Sequence, residues 1–188
     1  NNGWTYDIVS DTMLTNADHA TVSVNEAGET VLYADGPEYR AVVVSGVSTL
    51  TADCLRTLIG YAEAGLPIYL VNTDITSVNG TEKGENTVAN VTALFAQLKA
   101  CGTVKEVSDK NDALLSQLAA DGIAPAASYD NVSNLVTTHY ADSVDGSDYY
   151  YLYNDYNSNA NQGMVMAGTG AKLKTGSSID AVVTLTGT

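Results

Sequence analysis

The sequence predicts an α/β fold, an open parallel sheet of flavodoxin-like type with helices on both faces, followed by an antiparallel β-sandwich portion. Residues 39–72, "YRAVVVSGVSTLTADCLRTLIGYAEAGLPIYLVN", have the pattern of strand, helix and strand joined by short links, which is a βαβ unit. After about residue 124 the helical periodicity disappears, and β-rich runs alternate with turn residues. We therefore expect an α/β domain at 1–127 and an incomplete β-sandwich portion at 128–188.

The α/β prediction depends on alternating strand and helix patterns along the first two thirds of the chain. The run "AVVV" is typical of a strand covered on both faces, Thr51 offers an N-cap, and Gly65 ends the helix before the strand "PIYLVN". A second amphipathic helix is predicted over Glu85–Cys101, then a strand "TVKEVS" and a third helix "NDALLSQLAADGI" closed by Gly122. Upstream, "YDIVSD" and "ETVLYA" are expected to be short strands.

The last third of the chain has the pattern of hairpins. Its β-rich runs are separated by clusters of Asp, Gly, Ser and Asn, of which "DSVDGSD" is a turn signal, and the runs are "LVTTHYA", "DYYYLYN", "QGMVMAG", "KLKTG" and "DAVVTLTG". This pattern predicts antiparallel strands joined by hairpins.

Composition excludes several classes of partner. Eight basic and 22 acidic side chains give a formal charge of −14, which repels nucleic-acid phosphates and anionic membrane surfaces. No apolar run approaches the roughly 20 residues of a membrane helix. Three N-glycosylation triplets, at Asn79, Asn90 and Asn131, and a chain poor in Lys favour a secreted protein.

The two cysteines, Cys54 and Cys101, are expected to form one disulfide in an exported protein. Such a bond would close a loop of roughly 47 residues and stabilise the fold by on the order of 3–4 kcal/mol. The alternative is two buried free thiols. Neither cysteine lies on a strand-to-helix elbow, and the only histidines are His19 and His139, so no nucleophilic triad is expected.

Two stretches are candidate binding sites. In "YYYLYNDY", the residues Tyr149, Tyr151 and Tyr153 share one face of a strand, where they would stack on sugar rings if exposed, although packing inside the protein is the favoured interpretation. In "DYNSNANQG", the residues Asp155, Asn157 and Asn159 alternate like the first ligands of a calcium loop, but the sixth position is Ala160 and the twelfth is Met166. We expect a polar loop there, with no metal, cofactor or catalytic group in the chain.

The loop "SGVSTLT" precedes a predicted helix and would in principle bind an anion at the helix N-terminus. It lacks both the G-x-G-x-x-G pattern and the lysine of a phosphate-binding loop. A capped helix start is therefore the favoured interpretation.

The order of "YDIVSDTML", the βαβ unit at 39–72 and "HYADSVDGSDYYYLYN" resembles the non-catalytic C-terminal region of secreted α-L-rhamnosidase-type glycoside hydrolases. The resemblance spans most of residues 6–154, although His139 stands where that family commonly has arginine. It implies a class I glutamine amidotransferase-like α/β domain and the start of a β-sandwich, in an accessory fragment of an enzyme acting on plant polysaccharide.

The catalytic carboxylates of that family have no counterpart in this sequence, so the resemblance implies no catalytic residue here. The resemblance also implies that this chain has as partners the rest of a larger glycosidase chain or another copy of itself, and carbohydrate. The alternatives are a carbohydrate-binding module and a structural or oligomerising domain.

Overall fold

The computed structural model describes residues 3–33, 36–78, 80–110, 112–129, 135–142, 144–154 and 182–185. The chain forms two compact units. The α/β unit is Ile8–Ile123, and the β unit combines Asn1–Asp7 with Ala124–Thr188. The units thus differ from the domains expected at 1–127 and 128–188, because the first residues belong with the last third of the chain.

The α/β unit contains short helices and strands around one parallel sheet. In chain order its elements are α1 (Asp11–Leu14), β1 (Val22–Val24), β2 (Thr30–Leu32), β3 (Val42–Ser45), α2 (Ala52–Glu63), β4 (Ile68–Val71), α3 (Val88–Lys99), β5 (Val104–Val107) and α4 (Asp112–Ala120). The parallel sheet has the order β3-β4-β5, with Val42 opposite Ile68 and Ile68 opposite Val104. This arrangement confirms the predicted βαβ unit.

The helix α2 begins and ends where the sequence predicts. The Thr51 hydroxyl accepts a hydrogen bond from the Cys54 backbone N–H at 3.1 Å, which satisfies one free donor of the first turn. Gly65 follows the helix with a φ of 97°, a left-handed conformation that glycine adopts without the steric penalty of a side chain. Between these two signals the apolar stripe of α2 is buried, including Leu55 and Leu58.

The two faces of the sheet are covered differently. Helices α2 and α3 pack together over the face formed by alternate strand residues, which include Val42, Ile68 and Leu70. The other face carries Tyr69, and it meets the end of α4.

At that second face the Tyr69 hydroxyl donates a hydrogen bond to the Asp121 carboxylate at 2.7 Å. Asp121 also forms an ion pair with Lys105 of β5 and accepts hydrogen bonds from Gln117 of α4. Burial alone would raise the pKa of the Asp121 carboxyl, but hydrogen bonds from Lys105, Tyr69 and Gln117 outweigh it and hold that pKa below its ordinary value.

The start of the α/β unit departs from the prediction. The run "YDIVSD" is not a strand, because Ser10 instead caps the single-turn helix α1 by accepting a hydrogen bond from the Met13 N–H at 3.3 Å. The strand predicted in "ETVLYA" is β2, and it pairs antiparallel with β1, which sequence analysis missed. The Tyr61 hydroxyl joins this region to α2 through the carbonyls of Leu14 and Ala20, at 2.6 and 2.9 Å.

The β unit contains two antiparallel pairs among its described residues. They are β6 (Ala127–Tyr129) with β9 (Val183–Leu185), and β7 (Leu135–Ala141) with β8 (Asp148–Asn154). The predicted hairpin of "LVTTHYA" and "DYYYLYN" is therefore confirmed. The runs "QGMVMAG" and "KLKTG" lie outside the described residues.

The residues before Asp7 pack against the β unit through backbone contacts. Ala127 donates its N–H to the Gly3 carbonyl at 3.4 Å, and His139 donates its N–H to the Thr5 hydroxyl at 3.0 Å. The chain therefore enters the β unit, leaves it to form the whole α/β unit, and returns.

Candidate functional site

The register of the β7–β8 hairpin sorts its side chains onto two faces. Tyr140 is paired with Tyr149 and Thr138 with Tyr151, and because strand side chains alternate, these four residues share one face. The partners His139 and Tyr150 lie on the opposite face. We call the first of these the tyrosine face and define it by Tyr140, Tyr149 and Tyr151.

The tyrosine face is exposed. Tyr140, Tyr149 and Tyr151 have 60%, 56% and 66% of their surface accessible to solvent. The favoured interpretation of this strand, packing inside the protein, is therefore wrong for Tyr149 and Tyr151. Tyr153 belongs to β8, but its side chain lies outside the described part of the structure.

The opposite face holds the hairpin in shape. The His139 ring stacks on the Tyr150 ring with their centroids 4.5 Å apart and an interplanar angle of 22°. The His139 Nε2 lies 2.6 Å from the Asp148 Oδ1, and Thr137 on the same side is buried. Burial, and then the charge of Asp148, raise the pKa of Tyr150. These contacts orient the strands from behind the tyrosine face.

Backbone hydrogen bonds set the spacing across the tyrosine face. Asp142 donates its N–H to the Ser147 carbonyl at 2.8 Å at the hairpin end, whereas the His139 N–H points away from β8 to Thr5. Since hydrogen-bonded and non-hydrogen-bonded pairs alternate, Tyr140 and Tyr149 form a hydrogen-bonded pair, with Cα atoms about 5.5 Å apart. Sequence analysis did not identify Tyr140 as part of this face, because only the register of the hairpin shows that it lies beside Tyr149.

The two cysteines carry free thiols in the structure, so the expected disulfide is not present; Cys54 is buried as in the alternative, whereas Cys101 is only half-buried. Cys54 belongs to the first turn of α2 and is buried. Cys101 follows α3, and its thiol lies 3.6 Å from the Gln97 carbonyl oxygen. Burial, and then the charge of Asp11, raise the pKa of the Cys54 thiol to about 11. A reactive cysteine requires a lowered pKa, so Cys54 does not have the properties of a nucleophile.

The other predicted positions are spread over the chain. Asn90 lies in α3 and donates its side-chain N–H to the Glu85 carbonyl at 2.7 Å, so the nitrogen that a glycan would occupy is hydrogen-bonded. The triplet residues Asn79 and Asn131, and the calcium candidates Asp155, Asn157 and Asn159, lie outside the described residues. Within the described ranges, no group of three or more His, Cys, Asp or Glu could hold a metal ion.

The N-terminus of α2 is occupied by the protein itself. The Thr51 hydroxyl accepts from Cys54, and the Asn86 side-chain oxygen accepts the Ala52 N–H at 2.7 Å. These contacts satisfy donors that an anion would otherwise bind. The capped helix start favoured from "SGVSTLT" is confirmed.

A concave feature lies in the α/β unit. It is an open, largely apolar cavity of about 320 Å³, lined by residues that include Met13, His19, Tyr33 and Tyr39. The Tyr33 and Tyr39 rings meet edge to face, with their centroids 5.9 Å apart. No pattern singled out this cavity in the sequence, because its walls come from α1 and from both sides of β2.

No family model, curated protein or solved structure matched the chain in the comparisons. In the part of the chain that the structure describes, no helix combines the length and the apolar character that crossing a membrane requires.

Proposed function

We propose that this chain is a non-catalytic, carbohydrate-binding accessory part of a secreted glycoside hydrolase of the α-L-rhamnosidase type, which acts on plant polysaccharide. The observation that carries the proposal is the tyrosine face. Three aromatic rings on one side of a hairpin are more than half exposed, while on the other side Thr137 is buried and His139 stacks on Tyr150. The order of motifs that resembles such glycosidases supplies the enzyme class.

Exposed tyrosines suit sugars for a physical reason. A tyrosine ring offers an apolar surface that packs against the C–H groups of a sugar ring, and its hydroxyl remains available for hydrogen bonds. Leaving such surface in water is unfavourable, so a cluster of exposed rings indicates a binding surface. The strongly acidic chain repels anionic partners and does not repel a neutral one such as an uncharged sugar.

The finer fold assignment is part of the proposal. The α/β unit is taken as a flavodoxin-like, amidotransferase-like domain, supported by two parallel crossovers and by helices meeting both faces of the sheet. The β unit is taken as part of a β-sandwich, supported by its two antiparallel pairs. The proposed partners are the remainder of a larger glycosidase chain and carbohydrate, and the proposed location is extracellular.

The test replaces exposed tyrosines of the tyrosine face with a residue that still favours a β-strand. Tyr149→Thr and Tyr151→Thr preserve β propensity, because threonine is β-branched, but they abolish stacking. We expect each variant to lose roughly two- to tenfold in retention by plant polysaccharide in affinity electrophoresis, since ring contacts contribute about 0.5–1.5 kcal/mol.

The matched control is Tyr6→Thr, which changes a 70% exposed tyrosine of the β unit outside the tyrosine face. It is expected to retain binding. Equal retention of all three variants and the parent, with unchanged thermal unfolding, would contradict the proposal.

A second candidate function is a structural or self-associating domain. The strand β3 lies at one end of the sheet order, and its residue Val43 is 44% exposed on the sheet face opposite α2. Among the described residues β3 has a strand neighbour on one side only, and such an edge invites pairing with another copy. We expect the sedimentation mass to rise with concentration and Val43→Lys to lower it, whereas one mass at every concentration would exclude this function.

A further inference from the structure

We infer that the tyrosine face selects internal segments of an uncharged polysaccharide and excludes polymers that carry carboxylate or sulfate groups. This inference rests on the proposed function and specifies its ligand. It follows from two features of the hairpin, the exposure of its three tyrosine rings and its charge.

The shape of the face favours a polymer segment over a single sugar or a chain end. Tyr149 and Tyr151 are two residues apart on one strand, which spaces them by about 6.6–6.8 Å, and Tyr140 lies about 5.5 Å across the pair from Tyr149. All three rings are more than half exposed, so they form a platform and not a pocket. A pocket typically encloses 70–90% of a small ligand, whereas a platform contacts only one side of each sugar.

Because each sugar unit contributes only one contacted side, affinity must accumulate over consecutive units of one chain. A free monosaccharide then competes poorly, since it contacts only one tyrosine ring and has no linked sugar units that contact the other rings. An extended internal segment places successive units over successive rings.

The charge near the face selects against anions. Asp142 follows Tyr140 by two positions, directly after the end of β7. Its Oδ1 accepts the Val144 N–H at 2.7 Å, and the Asp145 Oδ1 accepts the Ser147 N–H at 2.8 Å. The pKa of Asp145 is lowered by hydrogen bonds from the Ser147 side chain and backbone, which favours the ionised form.

Cations that would offset these carboxylates are absent from the described residues of the β unit, which include neither Lys nor Arg. The single histidine there, His139, has its ring nitrogen against Asp148 on the other face. The distance from Asp142 to Tyr140 along the strand is about 7 Å, which is shorter than the Debye length of about 10 Å at 0.1 M salt. A uronate bound over the rings lies within this distance of the Asp142 charge, in a chain whose formal charge is −14, and experiences repulsion that salt only partly screens.

The experiment is affinity electrophoresis of the whole chain through gels containing neutral arabinogalactan or polygalacturonate. We expect retardation by the neutral polymer that is insensitive to salt, and at least about tenfold weaker retardation by the acidic polymer at low salt. Free L-rhamnose and free galactose are expected not to compete. Equal or stronger retention by polygalacturonate, or full competition by a free monosaccharide, would overturn the inference.

The matched variant is Asp142→Asn with Asp145→Asn, which keeps the side-chain oxygen acceptors of the turn and removes two negative charges. We expect this variant to be retained more strongly by polygalacturonate, relative to neutral arabinogalactan, than the parent chain is. An unchanged ratio would overturn the electrostatic part of the inference. If no polysaccharide retards the parent chain, the proposed function fails together with the inference, whereas retention by acidic polymers alone leaves carbohydrate binding in place and rejects only the selectivity.

Discussion

Cys54 illustrates how the position of one side chain decides its chemistry. It lies in the first turn of α2 with its side chain in the core, where burial and the charge of Asp11 raise its pKa to about 11. Burial, and then the charge of Glu63, also raise the pKa of Cys101. Both thiols are therefore protonated at neutral pH, and they differ mainly in access to solvent.

We predict that one thiol reacts in the native protein and two react after unfolding. Cys101 is half-buried and is expected to react slowly with a disulfide reagent at pH 8, while Cys54 is expected to react only in denaturant. The Cys101→Ser variant is the control that removes the native reaction. If neither thiol reacts in denaturant until a reductant is added, the two cysteines form a disulfide and the prediction is wrong.

Single residues were predictable where the signal is local. Thr51 and Gly65 mark the ends of α2 because capping depends only on neighbouring backbone groups. The thiol state was not predictable, since it depends on where two distant residues come to lie. Alternation correctly placed Tyr149 and Tyr151 together, but which face is exposed depends on what packs behind Tyr150.

At the scale of an element, the end of α4 is fixed to the sheet by one carboxylate. Asp121 accepts hydrogen bonds from Tyr69 of β4 and Lys105 of β5, directly after the helix ends. Burial, and then the hydrogen bond and charge of Asp121, raise the pKa of Tyr69. This contact adds to the burial of Leu114 and Leu118, through which the nine-residue helix α4 packs.

We predict that Tyr69→Phe lowers the free energy of unfolding by about 1.5–3 kcal/mol at pH 7, the range for a hydrogen bond to a charged group. The lowered pKa of Asp121 means that its ionised form stabilises the fold above the ordinary carboxyl pKa of 3.8, and this stabilisation is lost as the pH falls through the lower folded value. The difference between parent and variant should therefore shrink on acidification.

Urea unfolding at pH 7 and below pH 3 measures this difference, with Tyr149→Phe as a control whose ring is exposed. A difference that stays constant with pH would mean that Tyr69 contributes through packing alone.

Elements with strong periodicity were predicted correctly, including α2, β4, α3, β5 and α4. The run "YDIVSD" was predicted wrongly because its β-forming residues suggested a strand, whereas Ser10 satisfies a helix N-terminus and ends any extended run. β1 was missed because a three-residue strand has too few positions to establish alternation.

At the scale of the whole molecule, the β unit is assembled from two parts of the chain. Gly3 shows how closely they meet, because a Cβ at this position would lie 1.6 Å from the Ala127 carbonyl oxygen, and its φ of 91° disfavours any other residue. No local sequence pattern could predict this contact, since the hydrogen-bonded residues Thr5 and His139 are 134 positions apart.

We predict that Gly3→Ala loosens the β unit and leaves the α/β unit intact. Hydrogen exchange followed by mass spectrometry should show faster exchange in β6 and β7 and unchanged exchange in β3, α2 and β4. Gly60→Ala is the matched control, because a methyl group in the middle of α2 meets nothing within 4 Å and should raise stability by about 0.5–1 kcal/mol. Equal acceleration in both units would contradict the separation of the two units.

The split of the β unit also sets an order of events during biosynthesis. Residues 3–5 leave the ribosome long before their partners at 127 and 139, so they remain unpaired while all of Ile8–Ile123 is made. The α/β unit, whose contacts are more local, can fold in that interval. A ribosome stalled when residue 123 has just left the exit tunnel would therefore carry a folded α/β unit preceded by an open segment, which a protease could remove until the hairpin emerges to bind it.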